Sequence, residues 1–174
     1  MVALALATAL FWMSALYLGW REISRIPSLR DQPSTLSGDT PGGWPSLRIV
    51  CAARDEETDI EAAVRSWLAS DYPALKVVAV DDRSTDRTGE ILDRLSAQED
   101  RLKVLHVGFL PPGWLGKNHA LFLGARDSPE EWLLFTDGDV RFHPLALKKA
   151  VGFAQAQGLD HLAGGPGIPV QNWF

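Results

Sequence analysis

From Leu47 onward the hydrophobic period of this chain switches repeatedly between that of a strand and that of a helix, and this alternation limits the fold more than any other feature. "LRIVCAA" (47–53) is short, apolar and β-branched, and "ETDIEAAVRSWLAS" then places Ile60, Val64, Trp67 and Leu68 at i, i+4, i+7 and i+8. Such a switch reads as a buried strand followed by an amphipathic helix. The pattern recurs: "LKVVAV" (75–80) precedes "TDRTGEILDRLSAQ", and "LKVLHV" (102–107) leads through a Pro/Gly loop into "KNHALFLGAR". "EWLLFT" (131–136) then leads into "HPLALKKAVGFAQAQG", where Pro144 suits a first helical turn and Gly158 a C-terminal cap. Four βα units in a row predict an α/β fold, a mainly parallel Rossmann-like sheet with helices on both faces.

That architecture supplies a location, because open α/β sheets bind ligands outside the carboxyl ends of their strands, near a switch in strand order. The polar residues at those ends are Arg54, Asp55 and Glu56, then Asp81 and Asp82, then a Gly-rich loop, then Asp137 and Asp139. Asp137-Gly138-Asp139 alone reads as a solvated Asp-Gly turn. Acidic residues at three of the four ends favour a carboxylate clamp instead. Converging carboxylates repel one another unless a cation or a set of ligand donors satisfies them. Mg²⁺ or Mn²⁺ takes one or two carboxylates and fills its other positions with phosphate oxygens and water, so a metal here implies a phosphate-bearing partner. In "PPGWLGKNHA" (111–120), Gly113 and Gly116 relax the backbone and Lys117 adds a point charge at a helix start. Alone, Lys117 would read as a solvated lysine. The loop lacks P-loop spacing, and "GGPGIP" (164–169), with two prolines, is a poor dinucleotide fingerprint.

The rest of the chain bounds what this domain can be. Its 174 residues, 46% hydrophobic and 22% charged, suffice for one globular domain plus an appendage. A net charge of −5 with no basic run argues against a nucleic-acid partner. Cys51 is the only cysteine, which excludes an internal disulfide and a Cys-based metal site, and its place in an apolar strand predicts a buried thiol. The four histidines, His106, His119, His143 and His161, show no ligand spacing. Residues 2–20, "VALALATALFWMSALYLGW", carry no charge and span roughly 28 Å as a helix, close to a bilayer's hydrocarbon thickness. They predict a transmembrane anchor over residues 1–20. Tyr17 and Trp20 lie near one end, and Arg21, Arg25 and Arg30 follow, which places the downstream chain in the cytoplasm. A cleaved signal peptide fits less well, because the start carries no Lys or Arg and no small-x-small site follows. Residues 21–46, rich in Pro, Gly, Ser and Thr from Pro27 on, read as a linker, and 47–174 as the domain.

"RIVCAARDEE", "VVAVDDRSTDRT", "GWLGKNHAL" and "LLFTDGDV", in that order and spacing, resemble the nucleotide-binding half of the family 2 glycosyltransferases over about residues 47–165. "PPGWLGKNHAL" looks more like the subgroup that glycosylates membrane lipids, such as carotenoid or hopanoid-type acceptors. The resemblance implies a GT-A fold and a metal-assisted, inverting transfer of sugar from a nucleotide diphosphate sugar, a UDP-sugar first, to a membrane lipid. It implies that Asp82, with Asp81 beside it, holds the nucleoside side, and that Arg54 and Glu56 line the nucleotide. Many members have Asn-Glu where this chain has Asp55-Glu56. Lys117 matches a basic residue near the diphosphate, Asp139 the metal ligand, and Asp137 its partner toward the ribose and donor sugar. The family's general base lies beyond the donor half. Asp160 is the only acidic residue after Asp139, and its surroundings do not match the base motif, so the resemblance implies that the acceptor half lies beyond residue 174 and that this stretch alone is inactive. Two alternatives stand beside it. One is a membrane-tethered nucleotide-sugar binding module without catalysis. The other is a haloacid dehalogenase-like phosphatase, disfavoured because its DxD closes the first strand of the domain and here it closes the fourth.

Overall fold

The computed structural model describes residues 2–23, 27–29, 31–32 and 43–165. They divide into two compact units, parted near residue 33. The first holds helix α1 (Val2–Ile23), which runs three residues past the expected anchor. Among the described residues no helix is long and apolar enough to cross a membrane, so the expectation of a transmembrane helix over residues 1–20 is not supported. What α1 does show is apolar side chains exposed all round, with Leu10, Phe11, Trp12, Met13, Leu16, Tyr17 and Trp20 each at least 60% accessible. Arg25, Arg30, most of the expected linker and the end of "GGPGIP" lie outside the described residues.

The second unit runs β1 (Leu47–Ala53), α2 (Ile60–Leu68), β2 (Leu75–Asp82), α3 (Thr88–Ser96), β3 (Leu102–Val107), α4 (Gly116–Ala125), β4 (Trp132–Thr136) and α5 (Ala146–Gln157). The four strands form one parallel sheet in the order β3-β2-β1-β4. Alternation along the strands assigns each residue to a face. Ile49, Cys51, Val77 and Ala79 pack against Ile60, Val64 and Trp67 of α2, Leu92 and Leu95 of α3, and Leu147 and Val151 of α5. Val78 and Val80 face the other way, onto Ala120 of α4. Burying each large aliphatic or aromatic side chain stabilises the fold by about 1.5–3 kcal/mol before chain entropy is counted.

Helix α4 lies unusually close to the sheet, because Gly124 faces it: a Cβ there would sit 2.5 Å from Val50 Cγ1 and 3.1 Å from Val80 Cγ2. The α5 helix ends as its sequence predicts, with Gly158 at φ +62°.

Chain order sets the position of the site. From β1 the chain moves to β2 and β3 on one side, then returns to place β4 on the other side of β1. The switch point therefore lies between the carboxyl ends of β1 and β4, the place where open α/β sheets bind ligands. One boundary differs from the sequence reading with consequence. β2 continues two residues further than expected, pairing Asp81 with His106 and Asp82 with Val107. Asp81 and Asp82 are thus strand residues on opposite faces of the sheet.

Candidate functional site

At the end of β2, Asp82 points to the α4 face and is 3% exposed. Arg83 turns back onto it through a left-handed backbone, φ +58°. Its Nε donates to Asp82 Oδ1 at 2.8 Å and its Nη2 to Oδ2 at 3.0 Å. This fork holds the Asp82 carboxyl below the usual carboxylate range, helped by the charges of Arg83 and Arg54 and by His119. The start of α4 presses on the same pair: a Cβ on Gly116 would lie 2.5 Å from Asp82 Oδ2 and 2.7 Å from Arg83 Nη2. Only a glycine leaves the backbone that close.

Asp81 faces the other way. Its Oδ1 accepts the Ser84 N–H at 3.2 Å and its Oδ2 lies 3.0 Å from His106 Nδ1. The other ring nitrogen, His106 Nε2, lies 2.9 Å from Asp93 Oδ1. Two carboxylates on one ring favour the imidazolium, Asp93 most strongly and then Asp81, and they raise the His106 pKa. The two aspartates that the sequence presents as one pair therefore diverge: Asp82 joins the α4 side, with Arg54 near it, and Asp81 anchors the turn into α3.

The loops after β1 and β2 are laced together by side chains to which the sequence reading gave no role. Asp55 Oδ1 accepts the Thr85 N–H at 2.7 Å while the Asp55 N–H donates to Ser84 Oγ at 3.1 Å. The Glu56 N–H donates to Thr88 Oγ1 at 2.8 Å, and the Glu57 N–H to Asp86 Oδ2 at 3.0 Å. Asp55 takes a left-handed backbone, φ +55°, to make this fit. "STDRT" is thus the fastener that holds the β1 loop at the crevice. Its signal was legible as a run of short hydroxyl and carboxylate side chains, the residue types that bond neighbouring backbone.

At the end of β4, Asp137-Gly138-Asp139 does form a turn, with the Val140 N–H 3.4 Å from Asp137 O. The turn also faces Glu56, across the switch point. Gly138 is buried, and a Cβ on it would meet Ile60 Cδ1 at 3.3 Å and Glu56 Cγ at 3.4 Å. Helix α2 pins the loop from behind: Trp67 Nε1 donates to Val140 O at 2.8 Å and Ser66 Oγ accepts the Phe142 N–H at 3.0 Å. Trp67, read from the sequence as a core residue alone, is also the clamp of this loop. Lys117, the second residue of α4, reaches across to Asp137 Oδ1 at 2.5 Å.

Electrostatically this end is over-supplied with negative charge. The Glu56 pKa is raised, first by burial and then by Asp139, Asp59, Asp137 and Asp86. Among the described residues no three His, Cys, Asp or Glu side chains could hold an ion by themselves. The set of hard oxygen donors nonetheless fits Mg²⁺ or Mn²⁺, which need only one or two carboxylates when phosphate supplies the rest. A cation added beside Glu56, Asp137 and Asp139 would relieve their mutual repulsion. Below this cluster Cys51 is fully buried, and burial together with Asp137 and Glu56 pushes its thiol up to about 12.

The glycosyl transferase family 2 model matches residues 48–173. The chain is 37% identical over 113 residues to a Synechocystis beta-monoglucosyldiacylglycerol synthase, covering 63% of this chain and 22% of that protein. It is 33% identical over 100 residues to a Staphylococcus haemolyticus 4,4'-diaponeurosporenoate glycosyltransferase, covering 56% of this chain and 25% of that protein. The match thus spans about a quarter of the length of these relatives. Among solved structures, the mannosyltransferase PcManGT of Pyrobaculum calidifontis, in complex with GDP-Man and Mn²⁺, superposes with a TM-score of 0.64 at 27% identity, over 87% of this chain and 43% of that one. With the parallel sheet, the switch point and the strand-end carboxylates in place, the chain belongs to glycosyl transferase family 2.

Proposed function

We propose that the crevice between the ends of β1 and β4 binds a nucleotide diphosphate sugar, and that the protein transfers the sugar, with inversion, to a membrane lipid. The observation that carries this reading is the cluster of carboxylates at the switch point, Glu56 with Asp137 and Asp139, beside Lys117. The names of the two relatives support the lipid acceptor, and the solved neighbour supports the donor class and the metal. Membership of this family also sets aside the phosphatase alternative.

The roles follow from position. Asp82, with the Arg83 fork behind it and Arg54 near it, takes the nucleoside side, and Asp81 supports that strand end from the opposite face. Glu56 lines the nucleotide. Asp139, with Asp137, would hold Mg²⁺ or Mn²⁺, which when bound neutralises charge that grows on the leaving diphosphate. Lys117 adds a point charge to that task and the N-terminus of α4 adds free N–H groups. The exposed apolar side chains of α1 support attachment to the membrane, with the site on the cytoplasmic side. A helix that is apolar all round is otherwise a buried one.

The test is a thermal-shift screen of UDP- and GDP-sugars with and without Mn²⁺. A true donor at ~100 times its Kd adds about 2.7 kcal/mol. Asp139→Asn should remove most of the metal-dependent part and leave the metal-independent part. Asp100→Asn, exposed and away from the crevice, should remove neither. Asp93 would serve badly as control, because it pairs with His106. Equal metal dependence in both variants would return residues 137–139 to a plain turn. For attachment, protease treatment of sealed vesicles should cleave the domain from the cytoplasmic side, and protection by an intact membrane would overturn that placement.

A further inference from the structure

We propose that His119 reads the nucleobase of the donor and restricts the site to bases that carry an exocyclic carbonyl beside a ring N–H, the oxo class to which uracil and guanine belong. This rests on the nucleotide reading above and adds to it the residue that chooses the base. His119 stands in the first turn of α4 and is only 9% exposed. Its Nδ1 is sealed from solvent with no hydrogen-bond partner, and its Nε2 has none among the described residues. The ring is nevertheless held in place, because Trp114 meets it in a T-shaped contact with centroids 5.3 Å apart. A fixed, buried polar group without a partner calls for one. Orphaned N–H groups are rarer in folded proteins than orphaned acceptors, so the sealed Nδ1 carries the lone pair and Nε2 the proton. His119 Nε2 is then a donor in want of an acceptor.

Position decides which part of the donor meets it. Lys117 reaches toward β4, to Asp137. Two residues on, at about 100° per residue, His119 leaves α4 on the opposite flank. Leu123, one turn further along that flank, packs on the cluster that holds Val80 of β2 and Val107 of β3. Helical side chains tilt toward the helix N-terminus, which brings the His119 ring back toward Gly116 and Asp82, and His119 bears electrostatically on the Asp82 carboxyl. The ends of β2 and β4 have β1 between them, so they stand about 10 Å apart. A diphosphate at Lys117 and Asp137 thus leaves the ribose to bridge β1 and the base to reach Asp82 and His119.

With the ribose fixed, the exocyclic group is the outermost part of the base edge and falls to His119, while the ring nitrogen beside it falls to Asp82. Each Asp82 oxygen accepts one bond from Arg83 and keeps a second lone pair. An oxo base matches both groups: its carbonyl accepts from Nε2–H, and its ring N–H donates to the carboxylate. An amino base reverses both, setting N–H against N–H and a ring lone pair against a carboxylate.

The experiment measures binding of UDP, CDP, GDP and ADP to the full chain with Mn²⁺, beside pyrophosphate with Mn²⁺, which probes the metal and Lys117 without a base. UDP or GDP should bind about ten- to hundredfold tighter than its amino counterpart, CDP or ADP. His119→Met, close in volume but without either nitrogen, should bring that ratio near one and leave pyrophosphate affinity as it was. His119→Gln, whose amide N–H can stand in for Nε2–H, should restore most of the ratio. A purely structural role would weaken all nucleotides alike and leave the ratio intact. Equal affinity for oxo and amino partners in the wild type, or a ratio that survives His119→Met, overturns the inference. If the variants do not fold, the wild-type ratio still decides, together with ¹⁵N-histidine NMR. His119 should appear as the Nε2–H tautomer, with that proton moved downfield by the oxo nucleotide, and the Nδ1–H tautomer would overturn the inference. The two ideas separate cleanly. Nucleotides that bind without discrimination sink only the base reading, whereas failure of all four to bind sinks the donor reading and this one with it.

Discussion

The ends of β2 and β4 carry two acidic residues each, and they use them in opposite ways. At β2 every carboxylate is matched within the protein: Asp82 by the Arg83 fork, Asp81 by the Ser84 N–H and His106. At β4 the match is incomplete. Asp137 has one partner in Lys117, and Asp139 contributes to the burden on Glu56. Satisfied charge builds structure, and unsatisfied charge waits for a ligand. Acidic residues at a strand end therefore point to a cation site only when their neighbours fail to neutralise them.

The comparison can be broken first at β2. Asp82→Ala should cost the folded state about 2–3 kcal/mol in urea unfolding, through the two lost hydrogen bonds to a charged partner that still reaches water; a cost below ~1 kcal/mol would show that the fork is not structural. Thr88→Val should cost about 1–3 kcal/mol, because it leaves the Glu56 N–H without its buried partner. Trp67→Phe should cost about 1 kcal/mol through the lost bond to Val140 and should weaken metal-dependent nucleotide binding as the Asp139 loop loosens.

The β4 end should answer with the opposite sign. The folded-state pKa of Glu56 is raised, so its contribution to stability is full at low pH and is lost as pH rises through that pKa. At neutral pH, without metal, Glu56→Gln should therefore be neutral to stabilising, by less than about 1 kcal/mol, while Mn²⁺-dependent binding falls. A clear loss of stability in metal-free protein would place Glu56 with the structural carboxylates. The smallest effect is expected at His106. Its pKa is also raised, so its contribution is fully present below about pH 6.5 and is lost as pH rises through the folded value. His106→Gln should flatten that part of the pH–stability curve, by less than about 1 kcal/mol for a half-exposed group.

The order and type of the strands and helices from β1 to α5 were legible because period and punctuation agree: β-branched runs of five to eight residues, amphipathic helices, and Gly158 where a left-handed cap stands. The strand-end positions followed from that. Direction did not, since a two-residue extension of β2 decides that Asp81 and Asp82 part company, and ends are the least legible feature of a strand. Which loop the side-chain-to-backbone lacing would fasten was hidden too. Ser84, Thr85, Asp86 and Thr88 act across a gap of about thirty residues, and no local pattern states which loop will lie opposite. Trp67 fits the helical period as a core residue, and that pattern carries no sign of the partner its indole N–H finds in Val140 O. Length and lack of charge in the first twenty residues indicated a helix, which α1 is, but among the described residues no helix is long and apolar enough to cross a membrane.

The tight seat of Gly124 on the sheet has a mechanical consequence. It stands eight residues from Gly116, roughly 12 Å along α4 at ~1.5 Å per residue, with no spare room beneath it on Val50 and Val80. The helix behaves as a lever whose fulcrum is this contact. A single methyl group at position 124 would push this end of α4 off Val50 and Val80 and so disturb the close seat of Gly116 on Asp82 at the other. Alignment of the crevice is thus governed by a residue that carries no functional group and lies a full two turns from those that do.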